Sequence, residues 1–127
     1  MKKILIIDDE HLILRGLGTA LRTSAVDVKT ADTGKEALLD IADSYYNLCF
    51  LDVFLPDING VEVLKKIKKL SPNTKVIMMS AGIIDSQMEE YIEKYAFTFI
   101  VKPFELHQVK QLAQDILAEE SIALLCL

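Results

Sequence analysis

Five short apolar runs, each followed by an amphipathic stretch, alternate along the chain and leave few folds open to it. Residues 4–7, Ile4-Leu5-Ile6-Ile7, form a continuous apolar run of strand length, the pattern of a parallel strand covered on both faces. Residues 26–30 alternate apolar and polar, which predicts a short, half-exposed strand. Residues 47–51, 75–79 and 97–101 supply three more strands. Between them lie segments of helical period. Leu14, Leu17 and Leu21, flanked by Ile13 and Ala20, predict a helix over 11–23, although Gly16 and Gly18 each cost about 1 kcal/mol relative to Ala. Thr33 and Glu36 have the spacing of a capping box ahead of Ala37, Leu38 and Ile41. Val61, Leu64, Ile67 and Leu70 predict a third helix, with Lys65, Lys66, Lys68 and Lys69 facing water. Met88, Tyr91, Ile92 and Tyr95 predict a fourth over 85–95. Leu106, Val109, Leu112, Ala113, Ile116 and Leu117 predict a fifth over 105–120, in contact with the core. Five strands and five helices in alternation predict an α/β domain: a five-stranded parallel sheet with helices on both faces and right-handed crossovers.

Composition narrows the function. A formal charge of −5 argues against a nucleic-acid binder, whose affinity rests on Lys and Arg at phosphates. No apolar run reaches the length of a membrane span. The start resembles a signal peptide only until Asp8-Asp9-Glu10, which follows just four apolar residues. Cys49 and Cys126 lie far apart and predict reduced thiols in a cytoplasmic protein rather than a disulfide framework.

In such a sheet the carboxyl ends of all strands point to one edge, where ligands sit. The first strand brings Asp8 and Asp9 there, the third Asp52, the fourth Ser80 and the fifth Lys102. By itself Asp52 reads as a turn-former, because Asp is common in loops. In company it reads differently. Crowded carboxylates repel unless a cation lies among them, and oxygen ligands with room for waters suit Mg²⁺. A carboxylate can attack phosphorus to form an aspartyl-phosphate, with Mg²⁺, Lys102 and Ser80 each holding one phosphoryl oxygen. The bland alternative for Lys102, a structural salt bridge to Asp52 or Asp9, is compatible with that role. His11 and His107 read as exposed helix residues, and no cluster suits zinc.

Four pieces stand in order at strand ends: Ile6-Ile7-Asp8-Asp9-Glu10, then residues 51–60 from Leu51-Asp52-Val53-Phe54-Leu55-Pro56 to Gly60, then Met79-Ser80-Ala81, then Val101-Lys102-Pro103-Phe104. Together they resemble the receiver domain of two-component response regulators, the CheY-like superfamily, over residues 1–120. The resemblance implies a flavodoxin-like (βα)5 fold with strand order 2-1-3-4-5. It implies that Asp52 accepts a phosphoryl group from a sensor histidine kinase or phosphotransfer protein. It implies that Asp9, Asp52 and the backbone carbonyl of Phe54 ligate Mg²⁺, with Asp8 acting through a water. Ser80 and Phe99 would form the switch, Lys102-Pro103 would be cis, and the fourth helix, fifth strand and fifth helix would form the output surface. The domain would be regulatory rather than an enzyme. It would bind neither nucleic acid nor membrane itself.

Four positions depart from the common pattern. Ser80 replaces a Thr, Phe99 lacks a phenol hydroxyl, and Tyr95 stands where many relatives have Gly. Phe54, large and apolar two residues past Asp52, is expected to shield the acyl phosphate from water. Phe54 also counts against a phosphatase of the haloacid dehalogenase type, which needs a second Asp there. A receiver that only binds partners is the other alternative. Residues 121–127 are expected to be a tail or the start of a linker helix. Leu106, Val109, Ala113, Ile116, Ala123 and Leu127 approximate a heptad seam, interrupted by Glu120, that would suit a coiled linker or a homodimer.

Overall fold

The computed structural model describes residues 1–125, with side chains described through Glu120. Strands β1 (Lys2–Ile7), β2 (Val26–Ala31), β3 (Leu48–Asp52), β4 (Lys75–Ser80) and β5 (Thr98–Val101) alternate with helices α1 (His11–Leu21), α2 (Gly34–Asp43), α3 (Gly60–Leu70), α4 (Ser86–Tyr95) and α5 (Leu106–Leu125). The strands form one parallel sheet in the order β2-β1-β3-β4-β5. This is the expected architecture.

Strand parity splits the core in two, because successive side chains leave opposite faces of a strand. Leu5 and Ile7, Cys49 and Leu51, and Val76 and Met78 face one side, where they pack with residues of α2, α3 and α4. Ile4 and Ile6, Leu48 and Phe50, and Ile77 and Met79 face the other, against α1 and α5. Both faces of the three central strands are therefore buried, which explains why those strands read as unbroken apolar runs. The thiol of Cys49 lies inside the first of these layers, and burial pushes its pKa up. It is inert packing.

Helix ends follow the local chemistry. The Thr33 side chain accepts from the Glu36 amide, Asn59 from Val61 and Asp85 from Met88, each an N-cap that satisfies one orphan donor. Helix α1 differs from these three. Its N-cap is Glu10, and that carboxylate makes no cap bond. It is engaged elsewhere, as described below.

Several expectations need correction. Leu106 is 43% exposed rather than part of the core, because it sits at the start of α5, over Gly16 of α1. Leu70 is also exposed, at the last turn of α3. Lys65 and Lys68 are half-buried instead of solvated. Phe97 precedes β5, and α1 stops at Leu21, before Thr23. Of the heptad-like positions, Val109, Ala113 and Ile116 are buried against the domain's own sheet. Glu120 accepts from Asn47 and lies 4.0 Å from Lys2, tying α5 to its own sheet. The remaining seam positions, Ala123 and Leu127, lie outside the residues whose side chains are described, as does Cys126.

Candidate functional site

Register places the site. Ile7 pairs with Leu51 across β1 and β3, so Asp8 and Asp52 leave the sheet side by side. Strand order reverses between β1 and β3, and such a switch point opens a crevice at the carboxyl ends of the strands. Gly60 allows the chain to return there. A Cβ on Gly60 would collide with the Asp52 carbonyl oxygen and lie 2.7 Å from Val53 Cα. Its amide donates to Val53 O at 2.8 Å, fastening the start of α3 beneath the end of β3.

Lys102 is the centre of the charge arrangement. Its Nζ lies 2.7 Å from Asp8 Oδ2, 2.8 Å from Glu10 Oε1 and 3.1 Å from Asp52 Oδ2. Asp8, Asp52 and Lys102 are buried, whereas the Glu10 side chain is 58% exposed. Burial works against the Lys102 ammonium, but its bonds to Asp8, Glu10 and Asp52 outweigh burial and hold its pKa above the ordinary lysine value. Burial pushes the Asp8 carboxyl up to about 6, against the opposing effects of Lys102 and of the Glu10 amide that donates to Asp8 Oδ1. The other Asp52 oxygen, Oδ1, accepts from the Phe54 amide at 3.1 Å.

Ligand atoms of Asp8, Glu10 and Asp52 lie within 4.8 Å of one another. Asp8 Oδ2 is buried, with the Lys102 ammonium 2.7 Å away as its contact among the described residues, so a lone pair remains for a cation. Three oxygen ligands with no nitrogen or sulfur among them fit a hard cation such as Mg²⁺. Asp9 is exposed and is not in this group. The reason is local: the chain bends at Asp9, so that Asp8 and Glu10 both reach Lys102 while the Asp9 side chain stays at the surface. Glu10 had no role in the sequence reading; its place directly after the Asp8-Asp9 pair at the end of β1 is the signal that could have assigned one.

Ser80 is buried at the end of β4, where its hydroxyl donates to Gly82 O at 3.2 Å and accepts from Gly82 N at 3.0 Å. Phe99 is half-buried and packs on the α2–α3 face of the core together with Ile92 and Tyr95. The Lys102-Pro103 bond is cis.

The sequence profile described as "Response regulator receiver domain" matches residues 4–114, which carry this whole arrangement. The chain belongs to that family. The receiver is 31% identical over 109 residues to the chemotaxis protein CheY of Thermotoga maritima, covering 85% of this chain and 91% of CheY. It is 30% identical to the regulatory protein AtoC of Escherichia coli over 96% of this chain and 26% of AtoC. It is 34% identical to the alkaline phosphatase synthesis transcriptional regulatory protein PhoP of Bacillus subtilis over 96% of this chain and 51% of PhoP. It thus spans between a quarter and about half the length of those two regulators. A CheY-like receiver domain from Methanospirillum hungatei superposes with a TM-score of 0.85 at 29% identity, over 95% of this chain and 98% of that one. The BeF3-activated DrrB receiver domain superposes at 0.83 with 30% identity, over 93% and 98%.

Receivers are regulatory signalling domains of two-component systems, and their acidic pocket binds Mg²⁺. Among the described residues of this receiver, no helix is long and apolar enough to cross a membrane. Sequence reasoning missed one further residue near the site. Asp57, in the loop after β3, accepts from the amides of Gly34 at 2.8 Å and Lys35 at 2.9 Å, clamping the start of α2. Helix N-termini favour such a carboxylate, but nothing in the local sequence tells which helix an acidic loop residue will meet.

Proposed function

We propose that Asp52 is the phosphoacceptor. A carboxylate oxygen of Asp52 attacks the phosphorus of a phosphohistidine on a sensor kinase or phosphotransfer protein. The P–O bond to Asp52 forms as the P–N bond breaks, and the imidazole leaves with the electron pair. One observation carries the reading: Asp52 is a buried carboxylate at the switch point of the sheet, and its protein partners, Lys102 and the Phe54 amide, are both donors. Lys102, already beside Asp52, turns to a phosphoryl oxygen, and Ser80 holds another through its hydroxyl.

Asp8, Asp9, Asp52 and the Phe54 carbonyl, with Glu10 close to Asp8, are the groups that would hold Mg²⁺. When bound, Mg²⁺ neutralises charge on the transferred phosphoryl oxygens. Readout runs from Ser80 to Phe99. The Ser80 hydroxyl leaves Gly82 for the phosphoryl group, and Phe99 follows by packing alone, repositioning α4, β5 and α5. That surface is supported by an exposed apolar residue on β5, Val101. It would contact an output domain or effector, since PhoP and AtoC are named as regulators and are longer than this chain.

The test is incubation with acetyl phosphate and Mg²⁺, read by intact mass. The wild-type protein gains one phosphate, and folded Asp52→Asn and Asp52→Ala proteins gain none. Uptake by folded Asp52→Ala would refute Asp52 as the acceptor. No uptake by the wild type would leave a receiver that acts only by binding partners.

A further inference from the structure

The cleft between α3 and α4 holds a set of side chains that phosphoryl transfer does not use. Its volume is about 520 Å³, a size that accommodates a small ligand or a few residues of peptide. One wall is α3, with Lys65, Lys66, Lys68 and Lys69. The other is α4, with Tyr91 and Tyr95.

Two of the lysines are committed. Lys65 pairs with Glu62 at 3.0 Å and lies 3.7 Å above the Tyr91 ring. Lys68 donates to the carbonyls of Pro72 and Thr74, both at 2.9 Å. Lys66 and Lys69 are exposed and, among the described residues, neither has a partner. They stand three residues apart, on one face of the helix. Glu62, the cleft's carboxylate, is already neutralised by Lys65. The cleft is therefore a cationic strip on a domain whose formal charge is −5.

We infer that the α3–α4 cleft docks an acidic segment of a partner protein, whose carboxylates reach Lys66 and Lys69. The tyrosines choose between a peptide and a nucleotide. A base needs a free aromatic face on which to stack. Tyr91 and Tyr95 stack on each other, with centroids 6.1 Å apart and planes 15° apart. Lys65 covers Tyr91, and Lys94 lies 5.3 Å from the Tyr95 centroid. What remains is ring edge and phenol hydroxyl, donors that match carboxylates. The arrangement is independent of Asp52, so docking does not rest on the phosphoacceptor reading.

Fluorescein-labelled hexaglutamate, titrated with the full chain and read by polarisation, tests the inference. Binding is expected to weaken about tenfold or more in Lys66→Glu/Lys69→Glu, and to fall as salt is added. The charge-matched control Lys35→Glu/Lys110→Glu should bind like the wild type, and Asp52→Ala should too. All four lysines are exposed, and circular dichroism checks that each variant is folded. An equal loss in the control would show a general charge effect and overturn the proposal. So would absence of hexaglutamate binding. ATP binding that depends on Lys66 and Lys69, without hexaglutamate binding, would assign the cleft to nucleotides instead.

Discussion

The ring of Phe54 lies against Gly82, so closely that a Cβ on Gly82 would sit 2.6 Å from Phe54 Cε2. This contact joins the loop after Asp52 to the loop whose backbone holds the Ser80 hydroxyl. Phe54 is 45% exposed, so the ring has solvent on its other side, and with Asp52 as the proposed acceptor it would shield the acyl phosphate from water. Replacing it with a small polar residue, Phe54→Asn, should speed loss of the phosphoryl group about tenfold, equivalent to about 1.4 kcal/mol of barrier. Gly82→Ala, which must displace the ring, should also speed it, but should add nothing in a Phe54→Ala background. Release of phosphate from the purified phosphoprotein measures both, and an unchanged rate in Phe54→Asn would remove the shielding role.

Lys102 offsets three carboxylates, and its removal should be felt in stability before it is felt in chemistry. Lys102→Met leaves Asp8 and Asp52 buried without their cation, which costs about 3 kcal/mol at neutral pH. Mg²⁺ should restore part of that loss and raise the midpoint of chemical denaturation more in Lys102→Met than in the wild type. Equal Mg²⁺ effects in the two proteins would argue against a metal among these carboxylates.

Asp57 links acid stability to the loop that follows Asp52. Burial works against its carboxylate, but the amides of Lys35, Gly34, Asp57 and Ile58 together outweigh this and hold its pKa below the usual value. A lowered folded-state pKa contributes stability that is fully present above the unfolded value, about 3.9, and is lost as pH falls through the folded value. The stability advantage of the wild type over Asp57→Asn should therefore be constant near neutrality and shrink below about pH 4. Urea denaturation of both proteins across that range reads it directly.

Gly60→Ala tests the return of the chain beneath Asp52. The added methyl meets backbone atoms of Asp52 and Val53, which cannot rotate away. A destabilisation of about 3 kcal/mol is expected from such overpacking, whereas Gly16→Ala on α1, with Leu106 3.6 Å away, should be close to neutral or stabilising. Thermal unfolding of the two variants separates them.

Much of this was legible in the chain because it depends on period and order. Runs such as 4–7 and 76–79 are apolar at every position, and only a strand covered on both faces uses such a run fully. The alternation of these runs with helical stripes prescribes a parallel sheet, and a parallel sheet sends Asp8, Asp52, Ser80 and Lys102 to one edge. Positions at element ends were less legible. Leu106 and Leu70 fit a helical stripe by spacing, yet the sheet does not extend far enough to cover them.

What the sequence by itself determined is which groups reach the site edge, since strand parity and βα order are properties of the chain. Only the tertiary structure decided which of them meet. Asp8, Asp9 and Glu10 are consecutive and chemically alike, but the course of the backbone past Ile7 turns two of them toward Lys102 and leaves Asp9 in solvent. The contact of Phe54 with Gly82 and the clamp of Asp57 on α2 are likewise set by how loops from different strands pack. Such loop contacts have no period for a sequence to display, because they depend on distances between residues 22 or more apart in the chain.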